Sequence, residues 1–287
     1  MHIRRIPDNP IITPDSHPSV GTNINGPSLL RKPQWVEAIP GKYLLYFAHH
    51  SGDFIRLASA DSLEGPWKVY PPGTLQLEQT PFNLHIASPD VHVDEARQEM
   101  RMYYHGSVDG EQFTCAAHSR DGVRFESDCE RLGPSYFRVW QYSGWWYALA
   151  MPGLLFRSRD GLHAFEPGPR LFNGPVQRHT AVRLVLPDTL EVYYSNIGDT
   201  PERILRAKVL LEGDWQQWRP SKPEEVLAPE MDYEGAEYEL RPSVLGWAPH
   251  PIRQLRDPAV FEEDERLWLA YAVAGEQGIA LAELAED

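Results

Sequence analysis

Asp90 and His92 stand two residues apart in Ile86-Ala87-Ser88-Pro89-Asp90-Val91-His92, so an extended chain carries both on one face. A carboxylate beside an imidazole is acid–base equipment, because the anion favours the protonated ring. Two more groups of this kind follow, His179 in Arg178-His179-Thr180-Ala181 and Asp257 in Arg256-Asp257-Pro258-Ala259. If these stretches are equivalent strands around one axis, Asp90, His179 and Asp257 converge. The expected chemistry is proton transfer, with one carboxylate as base, the other holding or tuning it, and His179 as the first candidate acid, Glu276 or Glu234 being the substitutes. Each group also has a structural alternative: Asp257 capping a strand entry, Asp90 and His92 as a hydrogen-bonded pair, His179 as a core histidine.

The elements that must position them repeat along the chain. Echoes of the first stretch occur at Gly26-Pro27-Ser28, Gly133-Pro134-Ser135 and His179-Thr180-Ala181 as well as at Asp257. After each comes an apolar, aromatic-rich strand, such as Tyr43-Leu44-Leu45-Tyr46-Phe47 or Leu267-Trp268-Leu269-Ala270-Tyr271, and then a third strand. Third strands run into Ser119-Arg120-Asp121-Gly122 and Ser158-Arg159-Asp160-Gly161, whose Asp-Gly pairs are tight-turn dipeptides leading into a fourth strand. Each unit is a four-stranded antiparallel meander of about 45 residues, the size of one propeller blade. The fifth unit lacks a fourth strand, and the segment from Ile3 to Ile12 supplies it, closing the ring. The expectation is an all-β, five-bladed β-propeller forming one domain over residues 1–287.

Composition agrees with that architecture. With 9 Trp, 13 Tyr, 21 Gly and 26 Pro among 287 residues, turns and flat side chains dominate. Two Cys give no disulfide framework. A net charge of −14 without a Lys/Arg cluster argues against a nucleic-acid partner, and no apolar run is long enough for a membrane partner. The start Met1-His2-Ile3-Arg4-Arg5 lacks a signal-peptide run, so a cytoplasmic location is expected. No Cys/His spacing suggests a metal or cofactor, although the histidines leave room for a divalent ion in the channel. Oligomeric state is not legible.

In a propeller the innermost strands line the axis, where small residues belong, and the large polar exceptions stand out. Around them, Asn25, Arg138, Arg178 and Arg256 flank the anchors as hydrogen-bond donors. His49, His50, His105 and Glu276 fall on rim loops, with Tyr136, Trp140 and Trp247 as aromatic platforms. The long connection from Ala228 to Gln254 adds Glu234 as a rim acid.

The chain resembles the five-bladed propeller glycosidases, the group of arabinanases, β-xylosidases and invertases. Asn9-Pro10-Ile11-Ile12, Ser88-Pro89-Asp90-Val91-His92, the repeated Ser-x-Asp-Gly turns and Arg256-Asp257-Pro258 carry the resemblance, which spans essentially the whole length. It implies a glycoside hydrolase acting on a small or terminal sugar, or an oligosaccharide, in a funnel at the axis. Asp90, Asp257 and His179 would be catalytic; Asn25, His92, His105, Arg138, Arg178, Arg256, Glu234 and Glu276 would bind substrate. Arabinanase-type members place an Asp where this chain has Gly26, another where it has Gly133, and a Glu where it has Arg178-His179. The similar anhydrogalactosidases use a His as acid. Two further readings stay open: a non-catalytic glycan-binding or structural propeller, and a phosphorylase, which needs Arg138, Arg178 and Arg256 clustered.

Overall fold

The computed structural model describes residues 2–285, and they form five four-stranded antiparallel sheets arranged as a five-bladed propeller. The inner strands of blades one to five are Asn25–Arg31, His85–Asp94, Arg138–Tyr142, Val176–Val185 and Arg256–Glu263. The N-terminal strand His2–Arg5 pairs antiparallel with Gly278–Ala285, Arg5 opposite Ala282, and completes the fifth blade. Beyond it, Ile12 bridges to Ile279 on the same strand. Closure by the N-terminal strand is as expected, and it gives the C-terminal strand a partner along its outer side. Among the described residues no helix is long and apolar enough to cross a membrane.

Five apolar clusters hold the ring, one in each seam between neighbouring blades. Leu44, Tyr46, Met100 and Met102 fill the first seam, and Tyr103, Phe137 and Ala148 the second. Trp140, Tyr147, Val192 and Trp218 fill the third, Tyr193, Leu269 and Tyr271 the fourth, and Leu45, Phe47 and Leu281 the fifth. The alternation of the second strands explains this, since successive side chains face opposite neighbours. Trp140 is therefore core, stacked on Tyr147 at 5.5 Å, and is no platform at the rim. In the blade turns, Asp121 and Asp160 accept the backbone N–H groups of Val123 and Arg124 and of Leu162 and His163.

One irregularity repeats in every blade and positions the axial side chains. On the inner strand of blade one, Asn25 pairs with Ala48 but Ser28 with Tyr46, so one extra residue is inserted. The same slip separates Ala87 from Asp90, Gln177 from Thr180, and Arg256 from Ala259. In blade three, Ser135 accepts from the Met151 amide and Arg138 pairs with Leu149. The bulge residues Gly26, Ser88, Tyr136 and Asp257 have φ of 56, 52, 68 and 50°. Only Gly26 adopts that region at no steric cost; the others store strain of order 1–3 kcal/mol each, a pattern found at functional sites.

This register corrects the sequence alignment of blade three. Its anchor is Tyr136-Phe137-Arg138, three residues after Gly133-Pro134-Ser135. Gly133 bridges to Thr114 on blade two and lies in the connection between blades. The level of Asp90 is thus shared by Ser28, Arg138, Thr180 and Ala259.

Candidate active site

The bulges place the side chains of Tyr136 and Asp257 at one level of the axis. His179, from the corresponding bulge of blade four, reaches them from the intervening blade. Its Nδ1 pairs with Asp257 Oδ1, and its ring packs 3.9 Å from that of Tyr136. The other oxygen of Asp257 accepts the Gly26 amide at 3.2 Å. His179 is 6% exposed and Asp257 1%. Burial works to raise the Asp257 pKa, but the attraction of His179, with Arg178 and Arg256, outweighs it and holds the carboxyl ionised. An ionised carboxylate on Nδ1 fixes the imidazole's orientation and leaves Nε2 for chemistry.

Two buried carboxylates frame this dyad. Glu202, fully buried, accepts Arg178 Nε at 2.7 Å and Ser195 Oγ at 2.6 Å, and lies 3.3 Å from Arg256 Nε. Glu276 accepts Arg256 at 2.8 Å, Asn23 at 2.6 Å and Asn25 at 3.1 Å. The two arginines reach past these acids to the long connection between blades four and five: Arg178 donates to the carbonyls of Val244 and Gly246, and Arg256 to Gly246. Ala248 N–H donates to Glu276. The segment 244–248 is thereby pinned over the wall beside the dyad.

No family model matches the chain. Over 99% of its length it is 37% identical to Uncharacterized protein R118 of Acanthamoeba polyphaga mimivirus, covering 90% of that protein. The chain belongs to that protein's family. Among solved structures it is similar to one from a study of the GH130 family, mannoside phosphorylases that include glycoside hydrolases targeting beta-1,2 mannosidic linkages in Candida mannan. That match has a TM-score of 0.69 at 13% identity and covers 98% of this chain and 93% of the other. It is also similar to a GH43 beta-xylosidase/alpha-arabinofuranosidase from a compost microbial metagenome, at TM-score 0.64 and 13% identity, covering 100% and 96%. At these identities the likeness is one of fold, and the fold is that of the five-bladed propeller glycoside hydrolases.

A row of histidines continues from the dyad toward the rim. Tyr136 packs 4.1 Å from His105, His105 lies 5.8 Å from His85, His85 6.1 Å from His50, and His50 6.5 Å from Trp247. Burial is the main cause that lowers the pKa of His50, takes His85 down to about 4 and puts His105 well below the usual range. These rings are neutral hydrogen-bonding walls at physiological pH. Among the described residues no group of three or more His, Cys, Asp or Glu side chains is placed to hold a metal ion.

The expected trio is only partly assembled. His179 and Asp257 meet, whereas Asp90 sits one level further along the axis with its own partners. Its Oδ2 accepts His92 Nε2 and the Val139 amide, both at 2.9 Å. Burial alone would raise the Asp90 pKa, but His92 and Arg138 bring it below the usual value. Asp90, His92 and Arg138 line a cavity of about 200 Å³ together with Ser28, Ala181 and Ala259, and neither His179 nor Asp257 lines it. Arg138 is 4% exposed, donates to the Ser88 and Phe137 carbonyls, and has one terminal nitrogen unpaired.

Glu234 requires a correction. It is fully buried in a short 3-10 turn, Asp232–Glu234, where it accepts Arg5 at 2.7 Å, Tyr271 at 2.8 Å and the amides of Glu230 and Met231. Its two oxygens are taken by Arg5 of the ring-closing strand, by Tyr271 and by amides of its own loop, so it clamps that loop to the strand and is no rim acid. Conversely, Glu202 and His85 belong to the site region and no sequence motif marks either, whereas Tyr136, expected as an aromatic platform, does stand there between His179 and His105.

Proposed function

We propose that this protein cleaves glycosidic bonds by hydrolysis, with His179 donating a proton to the leaving oxygen. The single observation that carries the reading is the buried His179–Asp257 dyad on the propeller axis, with Nε2 of the ring unclaimed. In the proposed step the C–O bond to the leaving group breaks and that oxygen takes the His179 proton. Water adds to the anomeric carbon and gives its proton to a carboxylate. Asp90 is ionised and sits one level further along the axis, a step that the bulge makes shorter than two full strand residues. As the next ionised carboxylate along the axis from the dyad, Asp90 is the proposed base of an inverting route. Neutral His50, His85 and His105 would receive sugar hydroxyls.

Hydrolysis is favoured over phosphorolysis by the state of the arginines. Arg178 and Arg256 do cluster, but Glu202 and Glu276 already neutralise them, and Arg138 stands apart beside Asp90. A phosphate would meet a carboxylate beside each of the three arginines, Asp90 in the case of Arg138. The test is turnover of a panel of aryl glycosides by wild type and by His179→Gln, Asp257→Asn and Asp90→Asn, with and without inorganic phosphate. Losing a positioned acid or base lowers kcat by roughly 10²–10⁴-fold. Absence of turnover by wild type on the whole panel, with sugar binding retained, would point instead to a glycan-binding propeller.

A further inference from the structure

A second cavity, of about 380 Å³, lies under the long connection between blades four and five. Tyr238, Val244, Trp247, Pro249, Ile252 and Arg256 line it. Its size is in the range of small-molecule sites, which are mainly apolar with few oriented polar groups. Two features join it to the candidate active site. Arg256, the chain neighbour of Asp257, forms part of its wall, and Trp247 stands between it and the His50 end of the histidine row.

The polar groups of this cavity are largely committed elsewhere. Arg256 is spent on Gln254, Glu276 and the Gly246 carbonyl, Arg241 and Glu239 pair with each other at 2.5 Å, and Gln254 Nε2 is left as an unpaired buried donor. A second sugar would bring hydroxyls that find few partners here, at a desolvation cost for each. Tyr238, Val244 and Trp247 meanwhile leave 46%, 65% and 44% of their surface exposed, a substantial apolar area to cover. The segment is held from beneath by Arg178, Arg256 and Glu276, so the cavity is preformed.

We infer that this cavity is the subsite for the leaving group, and that it takes an apolar aryl or alkyl aglycone rather than a further sugar. The inference rests on the glycosidase reading above, but its test separates the two. Calorimetric titration with free 4-methylumbelliferone, a flat, mainly apolar phenol, reads the cavity without catalysis. One-site binding is expected, weakened at least about tenfold by Trp247→Ala and by the exposed Val244→Glu, and unchanged by His179→Gln. Absent saturable binding, or binding that both cavity variants leave intact, overturns the subsite. So does a concentration-dependent dimer that Val244→Glu dissolves, since a second copy would then be the occupant. Hydrolysis that depends on His179 with equal KM for methyl and phenyl glycosides overturns the subsite alone. Retained 4-methylumbelliferone binding with hydrolysis insensitive to His179→Gln supports the subsite and overturns only the role given to His179.

Discussion

Replacing Glu202 by Gln removes one charge from the centre of the network while keeping its shape. In the native protein this carboxylate, fully buried, compensates Arg178 at 2.7 Å and Arg256 at 3.3 Å. After the substitution Arg256 keeps Glu276, but Arg178, 5% exposed, loses its directly bonded carboxylate and keeps Asp257 and Glu276 only at longer range, beside the Val244 and Gly246 carbonyls. Breaking a buried pair by removing one partner typically costs 3–5 kcal/mol. Gln retains an acceptor for the Arg178 and Ser195 hydrogen bonds, so the expected loss lies at the low end, about 3 kcal/mol. For a chain of this size that lowers Tm by roughly 6–12 °C, at about 2–4 °C per kcal/mol. The assay is equilibrium unfolding in urea and by heat, run alongside Arg178→Met and the double variant. Because the double variant removes both charges, at least about 1 kcal/mol should be recovered relative to the sum of the single losses. A Glu202→Gln loss below about 1 kcal/mol, or simple additivity, would refute the network as drawn.

Three other outcomes follow from the geometry. Tyr136→Ala should lower kcat about 10–100-fold by removing the face against which His179 packs, whereas Tyr136→Phe should be near neutral; steady-state kinetics on an aryl glycoside decide it. Glu234→Gln should cost about 2–4 kcal/mol in urea unfolding with kcat of the folded protein unchanged, because Glu234 clamps Arg5 of the ring-closing strand. The third outcome concerns acid. His50, His85 and His105 have pKa values lowered by burial, so the unfolded chain binds protons below about pH 6.5 that the folded chain does not. Their contribution is complete above that pH and is lost as pH falls toward the folded values, about 4 for His85. Asp90 and Asp257, held below the usual carboxylate range, add a further loss only below about pH 4. The urea midpoint should therefore decline from about pH 6.5 downward, and a flat midpoint between pH 7 and 5 would contradict neutral buried histidines.

The architecture was legible because each blade repeats local signals, an aromatic-rich second strand and a small or polar residue where the axis is crowded, and two of them share an Asp-Gly turn. Blade three misled for a definite reason. Gly133-Pro134-Ser135 copies Gly26-Pro27-Ser28 in type, yet the bulge falls on Tyr136-Phe137-Arg138, where bulky groups fill space that small ones occupy elsewhere. His179 and Asp257 could be named singly from residue type against that small-residue background. Their pairing depends on a blade-to-blade bulge alignment that spacing does not encode. Glu234 looked like a rim acid because its loop is long and polar; its partners Arg5 and Tyr271 are far away in sequence and become neighbours only once the ring closes. Glu202 had no motif at all, and its role follows from two arginines that a folded backbone turns toward it.

The most direct test of the account compares His179→Gln with wild type on glycosides whose leaving groups differ in basicity. A proton donor matters most when the departing oxygen is basic. The loss in kcat/KM should be large, on the order of 10²–10⁴-fold, for a methyl or phenyl glycoside and small for the matching 2,4-dinitrophenyl glycoside. Equal losses across the series, or none, would contradict His179 as the acid on the propeller axis.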